Sequence, residues 1–306
     1  MKAEMKPISI FLTGGTGFFG KSILSMLQRG FGPELKFTFL SRNPDKFLTD
    51  HPEFADLEKV RFIAGDVRDF RFPEQTFDYV FHAAAPARQM PPGVERDIII
   101  TGTRRVLNFA RECGAKRLLF VSSGAVYGPQ PPDVERIPET FPCHPVTEYG
   151  IAKYEAERIC LDSEIETVIA RCFAFVGPWL NRNIHFAIGN FIRDCLAGND
   201  IVIKGDGTPY RSYLYADDLV QWLFRILFEG QAGKAYNVGS DQAISIRELA
   251  ETVRKVLRTE NRIAICGQPS PGKRPERYVP DIAEIQRKLK VSIEIGLEEA
   301  ILKSAN

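Results

Sequence analysis

The feature that most constrains this chain is the run Ile10-Phe11-Leu12-Thr13-Gly14-Gly15-Thr16-Gly17-Phe18-Phe19-Gly20 near its start. The apolar segment Ile8–Thr13 has the composition of a buried strand. Phe18–Gln28, with Phe19, Ile23, Leu24 and Leu27 on one face, follows as a helix. Between them, Gly15-x-Gly17-x-x-Gly20 fits the dinucleotide-binding fingerprint, and Gly14-x-x-Gly17-x-x-Gly20 fits a related spacing. A tight turn and a close approach of backbone to pyrophosphate both exclude a Cβ, and a helix N-terminus turns its N–H groups towards the anion. Glycines alone carry little weight; the strand before and the helix after are what make this turn specific.

The rest of the first half repeats the pattern. Residues 37–41, Val60–Ala64, 78–82, 117–122 and 167–173 read as strands, and 97–113 and 148–163 as long helices. Alternating units of this kind predict an α/β fold, a Rossmann-type doubly wound parallel sheet with right-handed connections. After Gly177-Pro178 the pattern changes. Residues 184–197 read as a helix, 201–204 as a strand, 217–229 as a helix capped by Asp217 or Asp218, and Ala235–Val238 as a strand. Residues 245–257 form a helix opened by Ser245-x-x-Glu248, a capping box by spacing, and 269–280 read as a basic surface loop. The expected division is a dinucleotide-binding domain over residues 1–178 and a smaller mixed α/β substrate-binding part over 179–306.

Composition removes several alternatives. With 40 basic and 39 acidic residues, the net charge of +1 gives no field for nucleic acid or an anionic membrane. The first apolar run is too short to span a bilayer or to act as a secretion signal. Six cysteines without a C-x-x-C pair read as reduced thiols in a cytoplasmic protein, and the four histidines lack the spacing of a metal site.

The end of the second strand bears on the choice of dinucleotide. An acidic residue there binds the ribose hydroxyls, whereas an arginine accommodates a 2′-phosphate. This chain has Phe39-Leu40-Ser41-Arg42-Asn43, with no carboxylate before Asp45. Ser41 and Arg42 therefore favour NADP(H), with NAD(H) the alternative. The chemistry is carried by Tyr149-Gly150-Ile151-Ala152-Lys153, whose spacing puts phenol and ammonium on one helix face. A nearby cation favours phenolate, so Tyr149 can exchange a hydroxyl proton near neutral pH. Ser123, in the segment 122–128 at the carboxyl end of the fifth strand, stands where ligands bind in open α/β sheets.

Taken together, the segments 13–20, Gly65-Asp66, His82-Ala83-Ala84-Ala85, 122–128, 149–153 and Arg171–Gly177-Pro178 resemble the extended short-chain dehydrogenase/reductase family of nucleotide-sugar epimerases and dehydratases. So do Gly205-Asp206-Gly207 with Arg211, Tyr215, Asp217 and Asp218, and Tyr236-Asn237-Val238-Gly239. The resemblance runs in order over nearly the whole chain. It implies a catalytic set of Ser123, Tyr149 and Lys153. The cofactor would lie on Gly14, Thr16, Gly17, Phe18, Phe19 and Gly20, with Asp66 and Val67 near the adenine. Ala83, Ala84, Ala85 and Ser122 would line it, and Tyr149 and Lys153 would reach the nicotinamide end. His82 reads as a structural residue at a strand end.

It further implies that parts of 211–240 return to the cofactor domain, and that 97–113 and 148–163 build a homodimer. A nucleoside-diphosphate sugar would be held by Ser123, Asn190 and Arg211, with Arg274 or Arg277 as a second clamp; Trp179 and Phe186 read either as walls of the base or sugar or as core residues.

Two departures from the family matter. Dehydratases and decarboxylases place an acid just after the catalytic Ser or Thr, where this chain has Gly124 and Ala125. Arg42 suits an exchanging NADPH better than a trapped NAD. The expected activity is hydride transfer at sugar C4, leaning to an NADPH-dependent 4-ketoreductase, with a redox-neutral 4-epimerase as the alternative. A non-catalytic dinucleotide-binding regulator is the reading of another class, and the complete Ser123, Tyr149 and Lys153 set argues against it.

Overall fold

A computed structural model describes residues 7–32, 34–86, 90–91, 93–184, 186–272 and 274–305. His185 and Lys273, inside two of the segments read above, lie outside the described residues. The chain divides into two units. The first takes the described residues up to Val126 together with Pro145–Arg171 and Leu223–Ala235. The second takes Tyr127–His144, Cys172–Trp222 and the described residues from Tyr236 onward.

The first half of the chain supplies β1 (Ile8–Thr13), α1 (Phe18–Gln28), β2 (Leu35–Ser41), α2 (Pro44–Asp50), β3 (Val60–Ala64), β4 (Tyr79–His82), α3 (Val94–Glu112), β5 (Arg117–Ser123), α4 (Glu148–Leu161) and β6 (Thr167–Cys172). The second half supplies β7 (Phe175–Val176), α5 (Ala187–Leu196), β8 (Ile201–Ile203), β9 (Tyr210–Arg211), β10 (Leu214–Tyr215), α6 (Ala216–Glu229), β11 (Ala235–Val238) and β12 (Ile244–Ser245). It continues with α7 (Ile246–Leu257), β13 (Ile263–Ile265), β14 (Arg277–Tyr278), α8 (Ala283–Leu289) and α9 (Leu297–Ala305).

The main sheet runs β11-β6-β5-β4-β1-β2-β3, a doubly wound order that reverses at β1 and β4. From β3 to β5 each pairing is parallel, with Thr13 beside Leu40 on one side and His82 on the other. Strands buried on both faces need near-continuous apolar sequence, which β1 and β5 have. Under the sheet, Phe11 packs against Phe70, Phe77 and Phe109 with ring centroids 4.5 to 5.4 Å apart. On the other side, Phe224 of α6 meets Phe31, Phe37 and Phe81. In the second unit, α5, α7 and α9 bury Ile188, Ile192, Leu249, Val253 and Ile301 in a separate core.

Several boundaries differ from the sequence reading. Helix α3 starts at Val94, after Gly93 in the left-handed region at φ 80. Neither Asp217 nor Asp218 caps α6, because the helix already begins at Ala216. Asp218 is buried, and its Oδ2 instead accepts the backbone N–H groups of Glu294 and Ile295. Burial pushes its carboxyl up to about 6. The segment 269–280 is not wholly loop: Arg277 and Tyr278 pair with β9. The Ser245–Glu248 capping box is present in both directions. Among the described residues, no helix is long and apolar enough to cross a membrane.

Candidate active site

The glycine turn divides into glycines the chain itself requires and one it does not. A Cβ on Gly14, at φ 79, would stand 2.6 Å from the Ala83 carbonyl carbon and oxygen. One on Gly15 would stand 2.2 Å from the Phe39 ring, and one on Gly20 2.1 Å from the Gly15 oxygen. Among the described residues, a Cβ on Gly17 would meet only the Gly14 oxygen, at 3.5 Å, an ordinary contact. Among the described residues no side chain caps α1, and the first turn of the helix holds no acidic residue to meet its dipole. A backbone cradle with room above one glycine fits the pyrophosphate of a dinucleotide. Thr16 is exposed at the turn, and the half-buried Phe18 and Phe19 rings meet edge to face at 5.8 Å.

The other cofactor candidates stand at the same edge of the sheet. Ser41 is buried, and its Oγ accepts the Asn43 N–H at 3.3 Å, while Asn43 caps α2. Arg42 is exposed. Asp66 is gripped by Arg68, which also pairs with Asp97. Arg68's hydrogen bond holds the Asp66 carboxyl below the usual range, and Arg42's charge adds a smaller effect of the same sign. Val67 is buried against α3, where a Cβ on Gly102 would lie 2.9 Å from it.

Ala83, Ala84 and Ala85 are half-buried beyond β4. The Ala84 N–H donates to Thr13 Oγ1 at 3.3 Å. Thr13 Oγ1 lies 2.7 Å from His82 Nδ1, and His82 Nε2 lies 3.1 Å from Thr103 Oγ1, which itself donates to the Ile99 carbonyl. These roles put the proton of a neutral imidazole on Nε2. Burial, then the positive charge of Lys153, pushes His82 down to about 3.

His82 therefore makes folding pH-dependent with a fixed sign. Above its unfolded value of 6.5 both states are neutral, and below it only the unfolded chain takes the proton, so stability is lost as pH falls from 6.5 towards 3. Between about pH 7 and about pH 5 the wild-type chain is expected to lose about 2 kcal/mol more than His82→Gln in urea unfolding. Equal losses would mean that the folded protein carries imidazolium.

At the catalytic candidates, Thr147 caps α4 by accepting the Gly150 N–H, which fixes where Tyr149 leaves the helix. Gly150 lets that first turn sit close to the turn after β5, since a Cβ there would be 2.7 Å from the Ala125 oxygen. Tyr149 is thus brought beside the segment that carries Ser123. Lys153 is 2% exposed, and its Nζ donates to the Val121 carbonyl at 2.9 Å. The same Nζ lies 5.9 Å from the Tyr149 ring centroid and 4.8 Å from that of Phe120. Ser123 ends β5 with its Oγ accepting the Ala125 N–H.

Ser122 points the other way. Its Oγ donates to Glu157, so any contact with a cofactor falls to its backbone. Glu157, Glu95 and Arg68 escaped the sequence reading. Glu157 lies one turn beyond Lys153 and was legible by spacing. Glu95 was not, because its approach to Lys153 and Glu148 depends on how α3 packs against α4.

In the second unit, Asn190 lies on α5, and its Oδ1 is buried without a hydrogen-bond partner among the described residues. β9 lies between β12 and β14, with Arg211 opposite Tyr278 and Tyr210 opposite Arg277. Arg211 Nη1 donates to the Tyr210 carbonyl, and the Arg277 guanidinium covers the Tyr210 ring at 4.6 Å. Arg211 and Arg277 are therefore on neighbouring strands, whereas Arg274 is exposed outside the sheet. Trp179 is half-buried and Phe186 is 39% exposed.

Residues 10–239 match the model of the NAD dependent epimerase/dehydratase family. The chain is 29% identical to UDP-glucuronic acid decarboxylase 6 of Arabidopsis thaliana, over 95% of this chain and 86% of that one. Among solved structures, UDP-N-acetylglucosamine 4-epimerase from Methanobrevibacter ruminantium superposes with a TM-score of 0.84 at 23% identity, covering 98% of each chain. dTDP-glucose 4,6-dehydratase from Bacillus anthracis, in complex with NAD, does so with a TM-score of 0.83 at 20% identity, covering 97% and 95%.

Proposed function

This chain belongs to the NAD dependent epimerase/dehydratase family, and from that premise we propose that it catalyses hydride transfer at C4 of a nucleoside-diphosphate sugar, as an NADPH-dependent 4-ketoreductase. The observation that carries the chemistry is Lys153, a buried ammonium held 5.9 Å from the Tyr149 ring beside the strand end that bears Ser123. When bound, the dinucleotide supplies the hydride to the C4 carbonyl. Tyr149 gives its phenolic proton to the carbonyl oxygen, so C=O becomes CH–OH and a phenolate remains. Lys153 stabilises that phenolate. Ser123 orients the sugar oxygen by a hydrogen bond. In the oxidising direction the same residues act in reverse.

Gly124 and Ala125 lie in the turn after β5 and carry no titratable side chain, so this turn supplies no acid for elimination or assisted decarboxylation. That separates this reading from the decarboxylase relatives. Asn190, with its unpartnered amide oxygen, and Arg211 and Arg277, on adjacent strands, would hold the nucleotide and diphosphate. Ser41 and the exposed Arg42 would take a 2′-phosphate. A homodimer through α3 and α4 would cover Ile151 and Leu161, each 45% exposed. The six cysteines, which form no disulfide among the described residues, suit a reducing cytoplasm.

The second reading is a 4-epimerase with resident NAD, which epimerases among the structural neighbours favour. Purified protein is expected to carry no dinucleotide and to bind NADPH at least about tenfold more tightly than NADH, as a single charge-assisted contact of about 1.4 kcal/mol provides. Co-purifying NAD would sink the reductase and leave the epimerase. Turnover of UDP-, dTDP-, CDP- or GDP-linked 4-keto and 4-hydroxy sugars then identifies the substrate.

A further inference from the structure

Behind Lys153 the first unit carries a buried charge network that the reaction above does not use. Glu157, one turn further along α4, is 1% exposed and accepts the Ser122 hydroxyl at 2.5 Å. Arg171 on β6, 9% exposed, donates to it from Nε at 3.1 Å and Nη2 at 2.8 Å. Lys153 is fastened to the carbonyl of Val121, the residue before Ser122. The network therefore ties β5, which ends in Ser123, to β6 and to the helix bearing Tyr149. Residues 149, 153 and 157 share one helix face, with the first and last about 12 Å apart along the axis.

A buried ion pair is costly to desolvate, and an apolar pair of similar volume is often at least as stable. Stability alone is thus a weak reason for its presence. We propose that Glu157 and Arg171 are positioning residues that set the charge balance around Lys153, and through it the ionisation of Tyr149. Glu157 also pins Ser122, so that Ser123 keeps its place at the end of β5. This rests on the reading of Tyr149 as the proton carrier.

Together Glu157 and Arg171 are neutral and leave the charge of Lys153 to act on the phenol. Without the carboxylate, the Arg171 charge adds to that of Lys153. Without the guanidinium, Glu157 opposes Lys153. Among the described residues, the other titratable groups that the electrostatics couple to this region are Glu95 on α3, Glu148 and Cys160 on α4, and His82 on β4. Burial keeps the Cys160 thiol protonated, His82 is neutral, and burial followed by the negative charge of Glu148 pushes the Glu95 carboxyl up. All four are left in place by the variants below.

Tyr149 can be titrated without substrate from its near-ultraviolet phenolate absorbance, as the difference between each protein and its Tyr149→Phe counterpart. Glu157→Gln keeps the shape and the link to Ser122, and it should lower the midpoint by about one pH unit. Arg171→Gln should raise it by about as much, the effect of a unit charge roughly 10 Å away at an effective dielectric of about 20. Glu157→Asp, which keeps the charge, should leave it in place. If one charge-removing variant does not fold, the other still decides. An unmoved midpoint overturns the proposal, and so does a shift in Glu157→Asp equal to that in Glu157→Gln. Failure to turn over any nucleotide-sugar would instead count against the C4 reading, since no substrate enters this titration.

Discussion

Tyr149→Phe is expected to lower kcat by about 10³-fold while leaving thermal stability and dinucleotide affinity near wild-type values. That loss corresponds to about 4 kcal/mol of transition-state stabilisation. The phenol is half-buried, and the change removes one hydroxyl, so the first turn of α4 and its Thr147 cap stay as they are. Lys153 keeps its bond to the Val121 carbonyl, because that bond does not pass through Tyr149. In the proposed reaction a hydride could then still be placed at C4, but the sugar oxygen would have no positioned proton donor. Lys153→Met should differ in kind, losing both turnover and cofactor affinity. Steady-state kinetics beside a thermal melt and a binding titration separate the two. If Tyr149→Phe stays within tenfold of wild type, the acid/base role belongs to another group.

The sequence made much of the candidate site's local geometry legible because its parts are local. The Gly14–Gly20 spacing, the four-residue step from Tyr149 to Lys153 and the Ser245–Glu248 box are each contained within one turn or helix, so a linear pattern encodes them. What it hid depends on contacts between distant segments. Arg68 reaches Asp97 across 29 positions, and Glu95 meets the charges of Glu148 and Lys153 only because α3 lies against α4. The aspartates at 217 and 218 looked like helix caps, since a carboxylate before an apolar run usually is one. Burial redirected Asp218 to backbone 76 and 77 positions away. Ser122 and Ser123 are adjacent and chemically alike, and strand alternation sends one inward to Glu157 and leaves the other at the strand end. Spacing could not have told which, because it does not fix the register of β5.

Gly17→Ala is the substitution expected to separate binding from folding most cleanly. Gly17 has φ −86 and ψ −171, extended backbone that alanine adopts without strain. Among the described residues the added methyl would meet only the Gly14 oxygen, at 3.5 Å, and none of them resists it. Two small effects on folding oppose each other there. Alanine is a poorer N-cap than glycine, by a few tenths to about 1 kcal/mol, but it lowers the entropy of the unfolded chain by a similar amount. The melting temperature of the cofactor-free protein should therefore stay within a few degrees of wild type. Dinucleotide affinity should fall by about 30- to 150-fold, because a methyl where backbone meets pyrophosphate costs about 2 to 3 kcal/mol of overpacking. Gly20→Ala is the opposite case, since its methyl would be forced to 2.1 Å from the Gly15 oxygen. It should destabilise the protein before any ligand is added. Calorimetric titration with NADPH beside melts of the three proteins tests both. If Gly17→Ala binds as tightly as wild type, the room above Gly17 is not where the pyrophosphate sits, and the glycine turn serves the fold alone.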